Sequence, residues 1–242
     1  MDNRGSLIKL TDIGFAYAND DAPVLKDLNF ELFSGQKIGL IAPNGSGKTT
    51  LFHVMMGLLT PQAGEIAIFG QTIKSEKDFS TVRHRFGLLF QDADDQLFCP
   101  TVLEDICFGP LNMGKSKKEA IDISRHTLDF LGLSGFENRI TFKLSGGEKK
   151  LVSLATVLAM QPEVLLLDEP LTGLDTKTRE VITDILPKMD LSYIIISHHI
   201  EFLNATTNGI FTLRGGKIFA DDQVYVHIHD HAHVHGNVPH DH

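Results

Sequence analysis

Short apolar runs separated by polar, glycine-rich turns dominate the hydropathy pattern. Residues 7–15 (LIKLTDIGF) and 27–33 (DLNFELF) alternate in part between apolar and polar positions, which predicts strands with one buried face. Residues 37–42, 86–90, 164–167 and 193–196 are short, mainly apolar runs, the pattern of strands buried on both faces. A helix is expected from Lys48 to Gly57 (KTTLFHVMMG), and others over 145–160 and 176–189. Residues 102–131 read as helical but broken at Gly109-Pro110 and at Gly114. Residues 209–213 and 217–220 flank Gly215-Gly216 as a closing hairpin. Buried strands alternating with helices predict an α/β fold with a mostly parallel sheet, and the helix-rich stretch of about 92–160 reads as an insertion between its strands.

Composition narrows the class. The 242 residues, 42% hydrophobic and 22% charged, suffice for one sizeable core with a subdomain. The formal net charge of -9 carries no basic footprint, so no nucleic-acid partner is expected. Four of those charges are Asp221, Asp222, Asp230 and Asp241, in a terminal stretch without Lys or Arg. The two cysteines, Cys99 and Cys107, form no CxxC pair and fit a reducing compartment. The first ten residues lack the apolar segment of a signal peptide, and no run approaches the roughly 18 apolar residues that span a bilayer. Any work at a membrane is therefore expected to go through a partner.

Candidate chemistry begins where the third apolar run ends. Ala42, Pro43, Asn44, Gly45, Ser46, Gly47, Lys48 and Thr49 fit the phosphate-binding loop G-x-x-x-x-G-K-[ST], except that Ala42 stands in place of the first glycine. Such a loop curls backbone N–H groups around phosphate oxygens at a helix N-terminus. Lys48 would reach the β- and γ-phosphates, and the Thr49 hydroxyl would hold Mg²⁺. Ala42 is tolerable there if its backbone needs no positive φ. Residues 164–169 (VLLLDE) deliver two carboxylates to the end of a buried strand, where open α/β sheets place ligands. Asp168 would hold Mg²⁺ and Glu169 would polarise a water.

With residues 144–148 (LSGGE), the region of about 1–220 resembles the ATPase subunits of ABC transporters; Glu148 stands where Gln is commonest. Tyr17 matches the aromatic that stacks on adenine, and Gln91 the Q-loop glutamine. Residues 171–175 (LTGLD) match the D-loop, and His198 the switch histidine, with His199 where Asp is common. The resemblance implies a P-loop NTPase fold: a RecA-like core with a mainly parallel sheet, an N-terminal antiparallel β part and an inserted helical signature subdomain. It implies ATP and Mg²⁺ as ligands and Glu169, His198 and Gln91 as catalytic groups. Thr49, Gln91 and Asp168 would surround Mg²⁺, and ATP would contact Tyr17, residues 42–49 and Thr50. Ser145, Gly146 and Gly147 would bind the γ-phosphate held by the other subunit, which implies a homodimer. Partners would include integral-membrane transporter subunits, placing the chain at the cytoplasmic face of the cell membrane.

Residues 90–110 (FQDADDQLFCPTVLEDICFGP) resemble more narrowly the ATPases of energy-coupling-factor importers, which carry cobalt, nickel or vitamins. In the C-terminal tail, 221–242, His227, His229, His231, His233 and His235 alternate, so an extended chain would present them on one face. His240 and His242 follow. Imidazole suits Ni²⁺, Co²⁺, Zn²⁺ and Cu²⁺, and the tail has no Cys for a Cu(I) thiolate site. A purification tag would be contiguous histidine, whereas this run is interrupted. The tail is expected to collect or sense metal, and together with the narrower resemblance it gives the expected function: ATP hydrolysis powering import of a divalent metal, with nickel and cobalt first. A vitamin or zinc importer would share the body without needing the tail. A soluble His-rich metal-storage protein would share the tail without needing residues 144–148 or Glu169.

Overall fold

The computed structural model describes residues 5–18 and 22–220. The expected metal ligands of 227–242 lie outside the described residues. The chain runs β1 (Ser6–Phe15), β2 (Leu25–Phe33), β3 (Lys37–Ile41), α1 (Lys48–Met55), β4 (Ala63–Ile68), β5 (Gln71–Ile73), α2 (Glu76–Val82) and β6 (Phe86–Leu89). It continues through α3 (Val102–Asn112), α4 (Lys117–Phe130), α5 (Gly146–Leu158), β7 (Val164–Asp168), α6 (Thr176–Ile185), β8 (Ser192–Ile196), α7 (Ile200–Thr206), β9 (Gly209–Arg214) and β10 (Lys217–Ala220).

Two sheets form. The first is antiparallel, in the order β2-β1-β4-β5; the second has the order β10-β9-β3-β8-β7-β6 and is parallel except for the hairpin strand β10. This is the mixed α/β architecture expected. Strand β7 explains why the second sheet reads as continuous apolar runs. Its alternate residues point to opposite faces, and both faces are covered. Val164 and Leu166 join a core shared with α1 and the antiparallel sheet; Leu165 and Leu167 join a second core with α3, α4 and α5. Strand β8 divides in the same way, Ile194 and Ile196 from Tyr193 and Ile195.

Helices α3, α4 and α5 lie between β6 and β7, where the helix-rich insertion was expected. Each starts with a reciprocal capping box: Thr101 with Glu104, Ser116 with Glu119, Ser145 with Glu148. In each, the hydroxyl accepts from the backbone N–H three residues on while the glutamate accepts from the N-cap N–H.

The expected break at Gly109-Pro110 is corrected: α3 runs through both residues to Asn112. Proline inside a helix forfeits one backbone bond and crowds the preceding turn, a cost of about 3 kcal/mol. Packing offsets it here. Pro110, Ile106 and Cys107 are buried, and Gly109 lies so close to Met160 that a Cβ there would approach its Cγ to 2.6 Å. The break falls at Gly114, as expected, where φ is +84°. Strands β4 and β5 and helices α2 and α7 had no counterpart in the pattern-based reading.

Gly87 fixes the distance between the parallel sheet and α5. A Cβ at Gly87 would stand 2.3 Å from Val157 Cγ1 and 3.0 Å from Leu165 Cδ1. Val157 is stiff at χ1 and has little room to yield. Gly87→Ala is expected to destabilise the chain by about 1–3 kcal/mol through overpacking. The check is a lower midpoint in urea unfolding with an unchanged slope.

Candidate active site

The site gathers where β3 and β7 end side by side with β8. After Ile41 the chain enters the loop of residues 42–47. Its left-handed positions are Gly45, at φ +77°, and Gly47, at φ +95°. Ala42 is buried and is not among the positive-φ residues, so its replacement of glycine brings no backbone strain. Ser46 N–H closes a turn onto the Pro43 carbonyl at 3.1 Å, and Leu51 N–H bonds the Gly47 carbonyl at 2.8 Å as α1 begins.

Lys48, the first residue of α1, donates from Nζ to Asn44 Oδ1 at 3.2 Å and pairs with Glu169 Oε1 at 3.6 Å. Thr49 Oγ1 donates to Asp168 Oδ2 at 3.2 Å. His198 Nδ1 lies 2.9 Å from Glu169 Oε2. Glu169 therefore sits between a lysine from α1 and a histidine beyond β8. Tyr17 is partly exposed, and its hydroxyl is 3.0 Å from Thr50 Oγ1, which holds its ring beside the loop.

Asp168 and Glu169 are consecutive, yet both face residues of α1. Alternation along a strand would send them to opposite faces. Glu169 breaks the alternation by adopting φ +45°, while its N–H still bonds the Ile196 carbonyl at 2.9 Å. A left-handed non-glycine residue costs about 1–3 kcal/mol and concentrates at functional sites. The two carboxylates are only 6% and 4% exposed. Burial holds the Asp168 carboxyl above the usual carboxylate range, with the Thr49 hydrogen bond and the Lys48 charge pulling the other way. Asp168 Oδ1 is buried without a hydrogen-bond partner among the described residues. A free carboxylate oxygen beside a hydroxyl suits a hard cation that takes oxygen ligands, so the residues fit Mg²⁺.

Gln91 borders a cleft of about 750 Å³ that Thr49, Asp168, Asp94, Lys150 and Gly146 also line. It is thus on the cation side, whereas His198 and Glu169 approach through Lys48. Ser145 and Gly146 are exposed at the start of α5. No hydrogen bond joins Ser145, Gly146 or Gly147 to residues 42–50 among the described residues. Gly147 instead packs on the start of α6, where a Cβ would lie 2.5 Å from Thr178 Oγ1. Asp175 caps that helix, accepting from Thr178 N–H at 3.1 Å. Glu148, in place of the commoner glutamine, accepts from Ser145 N–H at 2.8 Å and pairs with Arg139 at 2.5 Å. The Ser145 bond and Arg139 hold its carboxyl below the usual range, so it caps as an anion. The His199 side chain makes no capping bond at the start of α7, and its ring lies 4.0 Å from that of His198, tilted by 38°.

Pattern reading missed Lys150. It is 2% exposed on α5 and donates to the carbonyls of Phe90 and Gln91 at 2.7 and 2.8 Å. The available signal was a charge within the apolar helical stripe of Gly147, Leu151 and Leu154.

Comparison with known proteins shows the family and the fold. A family model described as ABC transporter matches residues 25–172. A putative ABC transporter ATP-binding protein of Nitratidesulfovibrio vulgaris is 48% identical over 98% of this chain and 86% of its own length. The energy-coupling factor transporter ATP-binding protein EcfA of Methanothermobacter thermautotrophicus is 41% identical over 89% of this chain and 70% of its own. Among solved structures, cbiO1 of Clostridium perfringens, described as part of the ABC transporter complex cbiONQ, superposes with a TM-score of 0.79. It is 30% identical, covering 89% of this chain and 87% of that one. The ATP-binding cassette MJ0796, in a dimeric post-hydrolysis state bound to ADP and Pi, gives 0.80 at 25% identity, covering 88% of this chain and 96% of that one.

Burial opposes the charged form of Asp168, so replacing the carboxyl should help the empty protein while harming the loaded one. Asp168→Asn is expected to raise the thermal midpoint of the nucleotide-free chain by about 2–4 °C, the shift that ~1 kcal/mol gives at this size. The same substitution should lower Mg²⁺-dependent ATP hydrolysis by orders of magnitude. Calorimetry and a phosphate-release assay on one preparation check both halves.

Proposed function

The chain belongs to the ABC transporter family of ATP-binding proteins, and from that premise we propose how its residues handle ATP and what the hydrolysis drives. It is an ATP-hydrolysing subunit of an ABC transporter. The observation that carries the residue assignment is the chain Lys48–Glu169–His198 meeting the pair Thr49–Asp168 at the end of β7. Residues 1–220 act as one ATPase unit, with the helical segment of about 92–160 as its subdomain.

In this reading the N–H groups of residues 43–49 wrap the phosphates and Tyr17 supports the adenine. Lys48 leaves Glu169 for the β- and γ-phosphates, which frees the carboxylate to polarise the attacking water. His198 holds that carboxylate by its Nδ1 and reaches toward the γ-phosphate with the rest of its exposed ring. Thr49, Asp168 and Gln91 would hold Mg²⁺, which when bound neutralises charge across the β- and γ-phosphate oxygens. Positioning and electrostatics supply most of the catalysis in phosphoryl transfer.

The exposed start of α5 supports a shared site. Ser145, Gly146 and Gly147 offer a hydroxyl, bare backbone and a helix N-terminus, and their own loop 42–50 does not use them. A second copy of the chain would receive them at its γ-phosphate. Membrane attachment is assigned to the surface around residues 97–108, where Phe98 and Phe108 meet edge to face at 4.8 Å and are both exposed, with exposed Phe142 nearby on the cleft shared with Phe98. An integral-membrane subunit covering these rings would hold the ATPase at the cytoplasmic face. Among the described residues no helix is long and apolar enough to cross a membrane itself. The cargo we assign is a divalent metal, cobalt or nickel. Support for the metal comes from the resemblance of residues 90–110 to energy-coupling-factor importers and from the alternating histidines of 227–235; the likeness to EcfA supports the importer class alone.

Two measurements test these assignments. Glu169→Gln retains ATP binding but loses the water-polarising carboxylate, so it should accumulate an ATP-bound dimer in light scattering; a chain that stays monomeric at saturating ATP would remove the shared-site reading. Deleting 221–242 should lower cellular uptake of nickel or cobalt at limiting concentrations while leaving ATP hydrolysis intact. Unchanged uptake across the whole concentration range would end the tail's role.

A further inference from the structure

The backbone of Phe90 and Gln91 is gripped from one direction. Lys150 Nζ donates to the Phe90 carbonyl at 2.7 Å and to the Gln91 carbonyl at 2.8 Å. Those two carbonyls belong to the peptide planes on either side of the Gln91 Cα. Peptide planes are rigid, so holding both fixes φ and ψ of Gln91 and the direction in which its side chain leaves the backbone. A second side chain completes the grip. Gln96 accepts from Phe90 N–H through Oε1 at 3.3 Å and donates through Nε2 to the Ser153 carbonyl and Thr156 Oγ1, both at 3.0 Å. Lys150, Ser153 and Thr156 all belong to α5. Lys149, next along the same helix, pairs with Asp94 at 2.5 Å.

The lysine is held at some cost. It is 2% exposed, and burial pushes its pKa down to about 8, with Asp168 and Asp92 pulling it back up. An ammonium group has three donors and no acceptor, which suits convergence on two carbonyl oxygens. None of the ATP-handling roles above uses it: among the described residues its hydrogen bonds go to the two carbonyls alone. We propose that Lys150, assisted by Gln96, is a positioning residue that locks Gln91 to helix α5. A shift of α5 against the parallel sheet is then delivered to the cation cleft as a shift of the Gln91 side chain. Ser145, Gly146 and Gly147 lie just before Lys150 on the same helix, so closing of the partner's site and presentation of Gln91 in the chain's own site would both follow this one element.

The inference rests on the reading of Gln91 as a group at the Mg²⁺ site, and the test separates the two. The Mg²⁺ dependence of ATP hydrolysis is measured with the full chain carrying Gln91→Ala, Lys150→Met, Lys150→Arg, Gln96→Ala and the Gln91→Ala/Lys150→Met pair. Losing an outer partner of a metal ligand costs roughly 10–100-fold in metal affinity or activity. Lys150→Met should therefore raise the half-saturating Mg²⁺ concentration about tenfold, with metal-free ATP affinity within about twofold of the parent, because the loop 42–49 is untouched. Lys150→Arg should recover most of the loss, and Gln96→Ala should shift the Mg²⁺ requirement in the same direction by less. The double variant should need no more Mg²⁺ than Gln91→Ala alone, since both remove one effect. A lower rate and unfolding midpoint with an unchanged Mg²⁺ requirement in Lys150→Met would reduce Lys150 to a packing role and overturn the inference. If Lys150→Met does not fold, Gln96→Ala decides, and an unshifted requirement there overturns it equally. An unchanged requirement in Gln91→Ala would instead remove the site reading, and the inference with it.

Discussion

Strand β7 ends by burying two carboxylates side by side, and the surrounding elements are arranged about that charge. Asp168 and Glu169 lie at the meeting of both hydrophobic cores, where the low dielectric makes an unmatched negative charge expensive. Lys48 offsets part of it, Thr49 donates one hydrogen bond, and His198 borders the rest. Among the described residues, one oxygen of Asp168 has no hydrogen-bond partner. A cation beside that oxygen would improve the charge balance of the site. The left-handed backbone at Glu169 adds local strain in the same place, and the paired strands β7 and β8 hold it there.

Helix α5 ties this centre to the rest of the molecule. Its first turn exposes Ser145 and Gly146; its middle grips Gln91 through Lys150; its last turns pack on Gly87. Close approach at Gly87 leaves little slack, because a single added methyl would collide with Val157. In the proposed dimer this one element would serve two sites: the chain's own cation cleft, and a partner's γ-phosphate.

Much of this was legible in the residues alone. The loop of residues 42–47 is local chemistry, with glycines, lysine and threonine spaced to suit a strand–turn–helix, and the strand, turn and helix are all present. The buried strands announced themselves as apolar runs because both faces of the parallel sheet are covered. Strands β4 and β5 and helices α2 and α7 were not legible. Helices α2 and α7 have seven residues each, and β5 has three, too few for a period to stand out. Half of β4 is exposed. Pro110 misled for the opposite reason: the local signal for a break was real, and packing around Gly109 and Met160 outweighed it.

The sequence by itself singled out the groups proposed for the chemistry: Lys48, Thr49, Asp168, Glu169 and His198, together with the hydroxyl and glycines of 145–147. Spacing within a few residues specifies such groups, since loop, strand end and helix cap are all short-range structures. Tertiary structure alone decided how they relate. It brought Lys48 to Glu169 across 121 positions of chain, turned two consecutive carboxylates to one side, and set Lys150 against the carbonyls of Phe90 and Gln91. The reason is physical: a residue's type is written in one position, but the partner that holds it and the solvent excluded around it come from segments far away in sequence.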